Sequence, residues 1–248
     1  MLTSKTLQKA EQCSVPLKQH SAHLTGIGTK RESSLHRSLK YRYSGSEGVI
    51  ETQVGNYVCD GLRSDGEIIE VQTGSFGPIR EKIKCLAKNN KVRLIHPITN
   101  QKHIELYNSD GNLAHKRKSP RKGSIWDIFK VLIYAPELVS QRNLTIELAV
   151  IDIVEKRVND GNGSWRRKYV SITDRSLGVW HSSIVLSKRS DYNKFIPYKK
   201  NEFFTVRDLA KKAGINAALA RKTLYVLTKM GLVEKTGRQC KAPVYKRK

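Results

Sequence analysis

The 248-residue sequence predicts a mixed α/β (α+β) sandwich followed by a small helical unit at the C-terminus. Three observations carry that expectation. Between residues 31 and 98 an amphipathic helix, three short strands, a second helix and an apolar strand follow one another, an order that suits helices packed on a sheet. Two turn signals, Gly55-Asn56 and Ser64-Asp65-Gly66, connect the three short strands as hairpins. From residue 204 onwards the apolar pattern switches to helical spacing on either side of Gly214-Ile215-Asn216.

Residues 1–30 are polar, hold no apolar run that would serve as a secretory signal, and read as a flexible arm. "RESSLHRSLKYRY" (31–43) predicts a short helix with Leu35 and Leu39 on one face, broken by "SGSEG". "VIETQ", "NYVCDGL" and "EIIEVQT" read as strands. "GPIREKIKCLAKNN" reads as a helix with Pro78 near its start and Ile79, Ile83 and Leu86 on one stripe. "KVRLIHPI" is a buried type of strand ending at His96-Pro97. Further on, a hairpin is expected to turn at Asp110-Gly111, "SIWDIFKVLIYAPELV" to form a helix stopped near Pro136, and "LTIELAVIDIVEKRV" to form a strand. The expected organisation is an arm (1–30), a core (31–107), an α/β extension that completes or flanks it (108–200) and a C-terminal unit (201–248).

Charge is the strongest bulk signal. Forty-six Lys and Arg residues against twenty-two Asp and Glu leave a net charge of +24. Such an excess favours polyanions through counterion release, so the expected partner is nucleic acid, DNA foremost. No stretch approaches the roughly 18 apolar residues of a membrane span, and no basic helix with a bulky apolar face stands out, so a membrane partner is not expected. The four cysteines are far apart and form no CxxC, which suggests neither a zinc site nor a disulfide framework and makes a reducing, cytoplasmic setting the default. The seven histidines show no metal-ligand spacing and there is no phosphate-binding GxxxxGK[ST], so an ATP-driven motor is not indicated. "HKRKSPRK" (115–122) suits either phosphate contact or a polar linker. Trp165 with Arg166, Arg167 and Lys168 reads first as a solvated loop and second as a basic loop touching nucleic acid.

One stretch asks for more than structure. In "VCDGLRSDGEIIEVQTG" (58–74), Glu70 and Gln72 leave the same face of a strand while Ile69 and Val71 point into the core. A three-residue loop at Ser64-Asp65-Gly66 pairs Arg63 with Glu67 and sets Asp60 opposite Glu70. Two carboxylates so close repel unless a positive charge lies between them. A hard cation such as Mg²⁺ meets that need, and so does a neighbouring lysine.

The run helix, strands, "D…ExQ", helix, "VRLIHPI" resembles the core of the PD-(D/E)xK, or restriction-endonuclease-like, nuclease superfamily. The resemblance implies that Asp60 and Glu70 bind a divalent ion, Mg²⁺ or Mn²⁺, with the backbone carbonyl of Val71 as a further ligand. It implies a water-positioning role for Gln72, which stands where a lysine is usual but is neither a general base nor a cation. The missing charge would pass to Lys82 rather than Lys84. A helix glutamate also belongs to the family pattern in some members, and Glu32 fits that place, though it equally suits a first helical turn on dipole grounds; Glu51, on the first strand with Gln53 on the same face, is the second candidate. From about Glu32 to the C-terminus the chain is similar to uncharacterised bacterial proteins that join such a domain to a winged helix, with middle segments like "YAPELVSQRNLTIELAVID" and "GSWRRKYVSITDR".

At the C-terminus, Thr205 caps a helix with Val206, Leu209, Ala210 and Ala213 inward. The next helix turns Ala220, Leu224, Leu227 and Met230 inward, and Gly231 ends it. "LVEKTGRQCKAPVYKRK" then reads as a hairpin with Gly237-Arg238 near its tip. This resembles a winged helix-turn-helix, which implies that Ala217, Ala218 and Arg221 face a DNA groove and that Lys222, Arg238 and Lys241 meet phosphates. The function expected from the whole is a metal-dependent endonuclease acting on DNA, for which a homodimer would suit the cutting of both strands. The alternative is a catalytically inactive DNA-binding regulator or structural protein on the same fold.

Overall fold

A computed structural model describes residues 32–240 and 242–248; the expected arm over 1–30 and Lys241 lie outside them. Helix α1 (Ser34–Ser44) begins where the Ser33 hydroxyl accepts the His36 amide hydrogen at 3.3 Å, and it ends at Gly45 with a φ of 78°. Strands β1 (Val49–Val54), β2 (Tyr57–Leu62) and β3 (Ile68–Val71) form an antiparallel meander. Gly55 and Gly66, at φ 58° and 82°, supply the left-handed positions its two tight turns need. The Arg63 amide donates to the Glu67 carbonyl at 3.0 Å, closing the expected three-residue loop in the expected register.

Helix α2 (Arg80–Leu86) then crosses over so that β4 (Val92–Tyr107) runs parallel to β3. Strand β6 (Leu144–Val158) runs parallel to β4 on its other side, β7 (Ser171–Leu186) is antiparallel to β6, and β5 (Leu113–Lys118) returns along the far half of β4. The result is a mixed α/β architecture around a seven-stranded sheet, ordered β1-β2-β3-β4-β6-β7 with β5 beside β4. Helix α1 covers one face: Leu35 and Leu39 pack on Ile69, Val71, Ile95 and Ile151. Helix α2 and the segment 125–140 cover the other, where Ile83 and Leu86 pack with Ile68, Leu94, Phe129 and Leu132. Leu39 is fully buried, and truncating such a leucine to alanine costs about 2–5 kcal/mol.

Four expectations need correction. Strand β4 does not end at Pro97 but continues to Tyr107. The Ile95 carbonyl accepts from Gln72 at the last residue beyond β3, so two residues on, the N–H that proline lacks faces the side where β3 has stopped. The helix expected over "SIWDIFKVLIYAPELV" does stop ahead of Pro136, where Ala135 leaves the helical region at φ −151°, but it is not continuous: a 3₁₀ turn capped by Ser124 leads into short α3 (Phe129–Leu132). Strand β7, not foreseen, completes the sheet. Cys59 and Cys240 are free, but Cys85 is disulfide-bonded, which the cysteine spacing does not suggest.

The C-terminal unit runs β8 (Phe203–Thr205), α4 (Val206–Ala213), α5 (Ala217–Lys229), β9 (Val233–Gln239) and β10 (Ala242–Arg247), with a three-stranded sheet ordered β8-β10-β9. Thr205 and Asp208 form a reciprocal cap, and Gly214, at φ 64°, turns the chain between the helices. Ala220, Leu224, Leu227 and Met230 are buried as their spacing predicts. The hairpin turns beyond Gln239, which pairs with Ala242, so Gly237 and Arg238 lie near its tip as expected. The unit shares one apolar cluster with the sheet, joining Leu219 and Leu224 to Phe129 and Phe195. Among the described residues no helix is long and apolar enough to cross a membrane.

Candidate active site

The acidic residues gather where β2 and β3 part. The β2–β3 ladder pairs Gly61 with Ile69 and goes no further, so Asp60 and Glu70 are the next opposed pair, at the point of divergence. Beyond the ladder, the Asp60 carboxylate takes the place of a strand: its Oδ2 accepts the Val71 amide hydrogen at 2.8 Å.

Helix α1 and the residues before it approach this point with Glu32, His36 and Lys40, spaced four apart and therefore on one face. His36 lies between two carboxylates, its Nδ1 3.3 Å from Glu32 Oε1 and its Nε2 3.2 Å from Asp60 Oδ2. The buried Lys40 ammonium sits 2.8 Å from Glu32 Oε1 and 3.3 Å from both Glu51 Oε1 and Asp60 Oδ1. Glu51 reaches it from a left-handed backbone, φ 53°, between the regular pairs Ile50–Gly61 and Thr52–Cys59. Such a conformation costs a non-glycine residue about 1–3 kcal/mol and tends to concentrate at functional sites.

Glu70 is engaged from the opposite layer. Lys82 of α2 places Nζ 2.6 Å from Glu70 Oε1 and donates to the Val58 carbonyl at 2.7 Å. Burial raises the Glu70 pKa, the Lys82 charge opposes that rise and Asp60 adds to it, so the net shift is upward. Asp60 shifts the other way: burial pushes its pKa up, but His36, the Val71 amide and Lys40 outweigh burial and hold it below the usual carboxylate range. Lys40 loses to burial and gains more from Glu32 and Asp60, so its pKa is raised. Neighbouring carboxyls driven apart in this way are the pattern of an acid/base or cation site.

Glu32 Oε1 and Glu70 Oε1 are buried, and each is held by an ammonium group, Lys40 Nζ at 2.8 Å and Lys82 Nζ at 2.6 Å. The carboxylate oxygens of this set are of the kind that a hard cation takes. Among the described residues, nonetheless, no group of three or more His, Cys, Asp or Glu side chains is disposed to hold a metal ion as it stands. Lys40 and Lys82 hold the carboxylates apart in two ammonium-centred sets.

The structure thus brings Glu32, Glu51 and Asp60 together on Lys40, and Glu70 together with Lys82. Gln72 does not join them. Its Nε2 donates to the Ser75 carbonyl at 2.6 Å, and its own carbonyl accepts from His96 Nδ1 at 2.7 Å. Burial pushes the His96 pKa down, in keeping with a neutral ring donating to that carbonyl. Sequence reasoning missed His36 and Lys40, although the four-residue spacing from Glu32 was there to be read.

In the C-terminal unit, Ala218, Arg221 and Arg238 are exposed, and Ala217 and Lys222 are half-buried. Ala217 and Arg221 line a groove of about 590 Å³ with the start of α4 and the residues flanking the β9–β10 tip. Lys222 does not line it, and Lys241 lies outside the described residues.

Residues 33–187, from the cap of α1 to the end of β7, match a family described as a domain of unknown function (DUF8091), and the chain belongs to that family. The matched span holds every residue of the acidic site except Glu32, and it stops before the C-terminal unit. The chain is also 31% identical over 199 residues to an uncharacterized protein of Treponema pallidum (strain Nichols), covering 80% of this chain and 79% of that one. No solved structure matches.

Proposed function

We propose that this protein is a metal-dependent nuclease that hydrolyses phosphodiester bonds in DNA, with a PD-(D/E)xK-like core and a winged helix as its grip. The observation that carries the reading is the convergence of Glu32, Glu51, Asp60 and Glu70 on the parting of β2 and β3. The order of helix, three-stranded meander, helix and parallel strand agrees with the family resemblance.

Asp60 and Glu70 would hold the cation, with the Val71 carbonyl and either Glu32 or Glu51. Bound there, Mg²⁺ or Mn²⁺ would polarise a phosphodiester oxygen and lower the pKa of a water molecule. Lys82 supplies the positive charge that Gln72 lacks. Gln72, with one Nε2 hydrogen committed to Ser75, keeps its other amide hydrogen and its amide oxygen to orient water. The C-terminal unit, read as a winged helix, presents Ala217, Ala218 and Arg221 to a groove and Lys222 and Arg238 to phosphates.

Incubation of plasmid, single-stranded, branched DNA and RNA with Mg²⁺ tests this, wild type beside Glu70→Ala. Cutting by the wild type alone is expected. Cutting that survives Glu70→Ala would remove the assignment. A second reading, a DNA-binding protein without catalysis, is favoured by one observation: Lys40 and Lys82 already ion-pair with the four carboxylates. It predicts DNA binding with no cleavage of any substrate.

A further inference from the structure

The β6–β7 hairpin ends in a loop, residues 159–170, that shows its aromatic rings to solvent. Trp165 is 71% exposed and Tyr169 is 58% exposed. Large aromatic side chains so open to water, on one short loop, are unusual unless a partner covers them. Three consecutive cations, Arg166, Arg167 and Lys168, lie between them, and the Arg166 guanidinium sits 5.5 Å from the Trp165 ring centre.

The loop is built to hold this display. Lys168 and Tyr169 both adopt left-handed backbones, φ 52° and 62°, which are uncommon for non-glycine residues. Backbone bonds from Gly163 to the Tyr169 carbonyl, from Lys168 to Trp165 and from Tyr169 to Ser164 lock the turn. A Cβ added at Gly163 would meet the Val170 carbonyl oxygen at 1.9 Å, so the chain closes too tightly there for any side chain. Arg167 is half-buried, its Nε donating to the Val170 carbonyl, while Arg166 and Lys168 are the exposed cations. At the foot of the hairpin, the Ser34 amide donates to Asp174 at 2.9 Å, so the loop rises beside the start of α1.

We propose that this loop is a contact for single-stranded nucleic acid, with Trp165 and Tyr169 stacking on unpaired bases and Arg166 and Lys168 meeting the flanking phosphates. Aromatic faces recognise bases of any sequence, but only where the bases are unstacked from a duplex. A net charge of +24 brings such a strand to the surface. The inference concerns a surface apart from the acidic site and holds whether or not that site cuts.

Fluorescence anisotropy tests it, with the full-length protein in EDTA so that no cleavage intervenes. The probes are a labelled thymidine strand about twenty nucleotides long and a labelled duplex of similar length. Trp165→Ala is expected to weaken binding to the single strand roughly ten- to a hundredfold and to the duplex less than about twofold, leaving the salt slope unchanged. Trp165→Phe should keep most of the affinity, and Arg166→Gln should lower the salt slope for the strand by about 0.7. Equal losses on both probes, no loss, or no binding of the strand by wild type would overturn the proposal. So would Trp165-dependent binding to phosphatidylserine vesicles without an effect on the strand. Trp165 is mostly exposed, so unchanged circular dichroism and thermal midpoint should accompany the variants.

Discussion

Lys40 is the counter-charge of three carboxylates, and replacing it with methionine keeps its stem while removing the ammonium. Lys40→Met leaves Glu32, Glu51 and Asp60 facing one another. Breaking a buried ion pair by removing one partner costs about 3–5 kcal/mol. Glu51 keeps 31% of its side-chain surface in water, so the low end applies and we expect a loss of about 3 kcal/mol in EDTA. The same carboxylates then become a better cation site than in the wild type, where the ammonium competes for them. With Mn²⁺ at a hundredfold excess over its dissociation constant, linkage restores about 2.7 kcal/mol to the variant. The assay is urea unfolding of both proteins with EDTA or Mn²⁺, at matched slopes. A variant as stable as wild type in EDTA, or an equal Mn²⁺ response from both, would refute the reasoning.

Three other outcomes follow from the geometry. Glu155 is buried, which raises its pKa, but Arg175, Lys102 and Arg157 outweigh burial and hold it at about 2, against an ordinary 4.5. Its stabilisation is therefore complete above pH 4.5 and fades as the pH falls towards 2; Glu155→Gln should flatten that acid limb in a pH series of melts and cost about 1–2 kcal/mol at neutral pH, discounted because Arg175 is half-exposed. Glu51→Asn, which tolerates the left-handed backbone better, should hold or raise the thermal midpoint while lowering the proposed nuclease activity; a clear drop in stability would mark Glu51 as structural. Thr205→Ala removes the cap of α4 and should cost about 1 kcal/mol in urea unfolding, with the melt of Thr205→Ser close to wild type.

What could be read in the sequence was what short-range chemistry decides. Gly66 fixed the hairpin loop and with it the opposition of Asp60 and Glu70, because a three-residue loop with a left-handed glycine sets the register. Leu35 with Leu39, and Ala220 with Leu224, announced their helices by spacing alone. Strand β7 gave no such signal: it is the last strand on its side of the sheet and largely exposed, so its residues do not alternate clearly between apolar and polar. Pro136 announced where the helix before it ends, because the residue ahead of a proline is pushed out of the helical region, but apolar spacing over so few residues did not tell the 3₁₀ turn at 125–128 from an α-helix. The partners of the acidic residues were hidden for a different reason. Lys40 and Lys82 come from helices on opposite faces of the sheet, and only the folded layers decide which of forty-six cations meets which carboxylate.

The account turns on the acidic side chains at the parting of β2 and β3 sharing one divalent cation. Calorimetric titration of the wild-type protein with Mn²⁺, beside Asp60→Asn and Glu70→Gln, measures that directly. One saturable site in the wild type, lost in each variant, is the result predicted. No saturable site, or one that both variants keep, would contradict it.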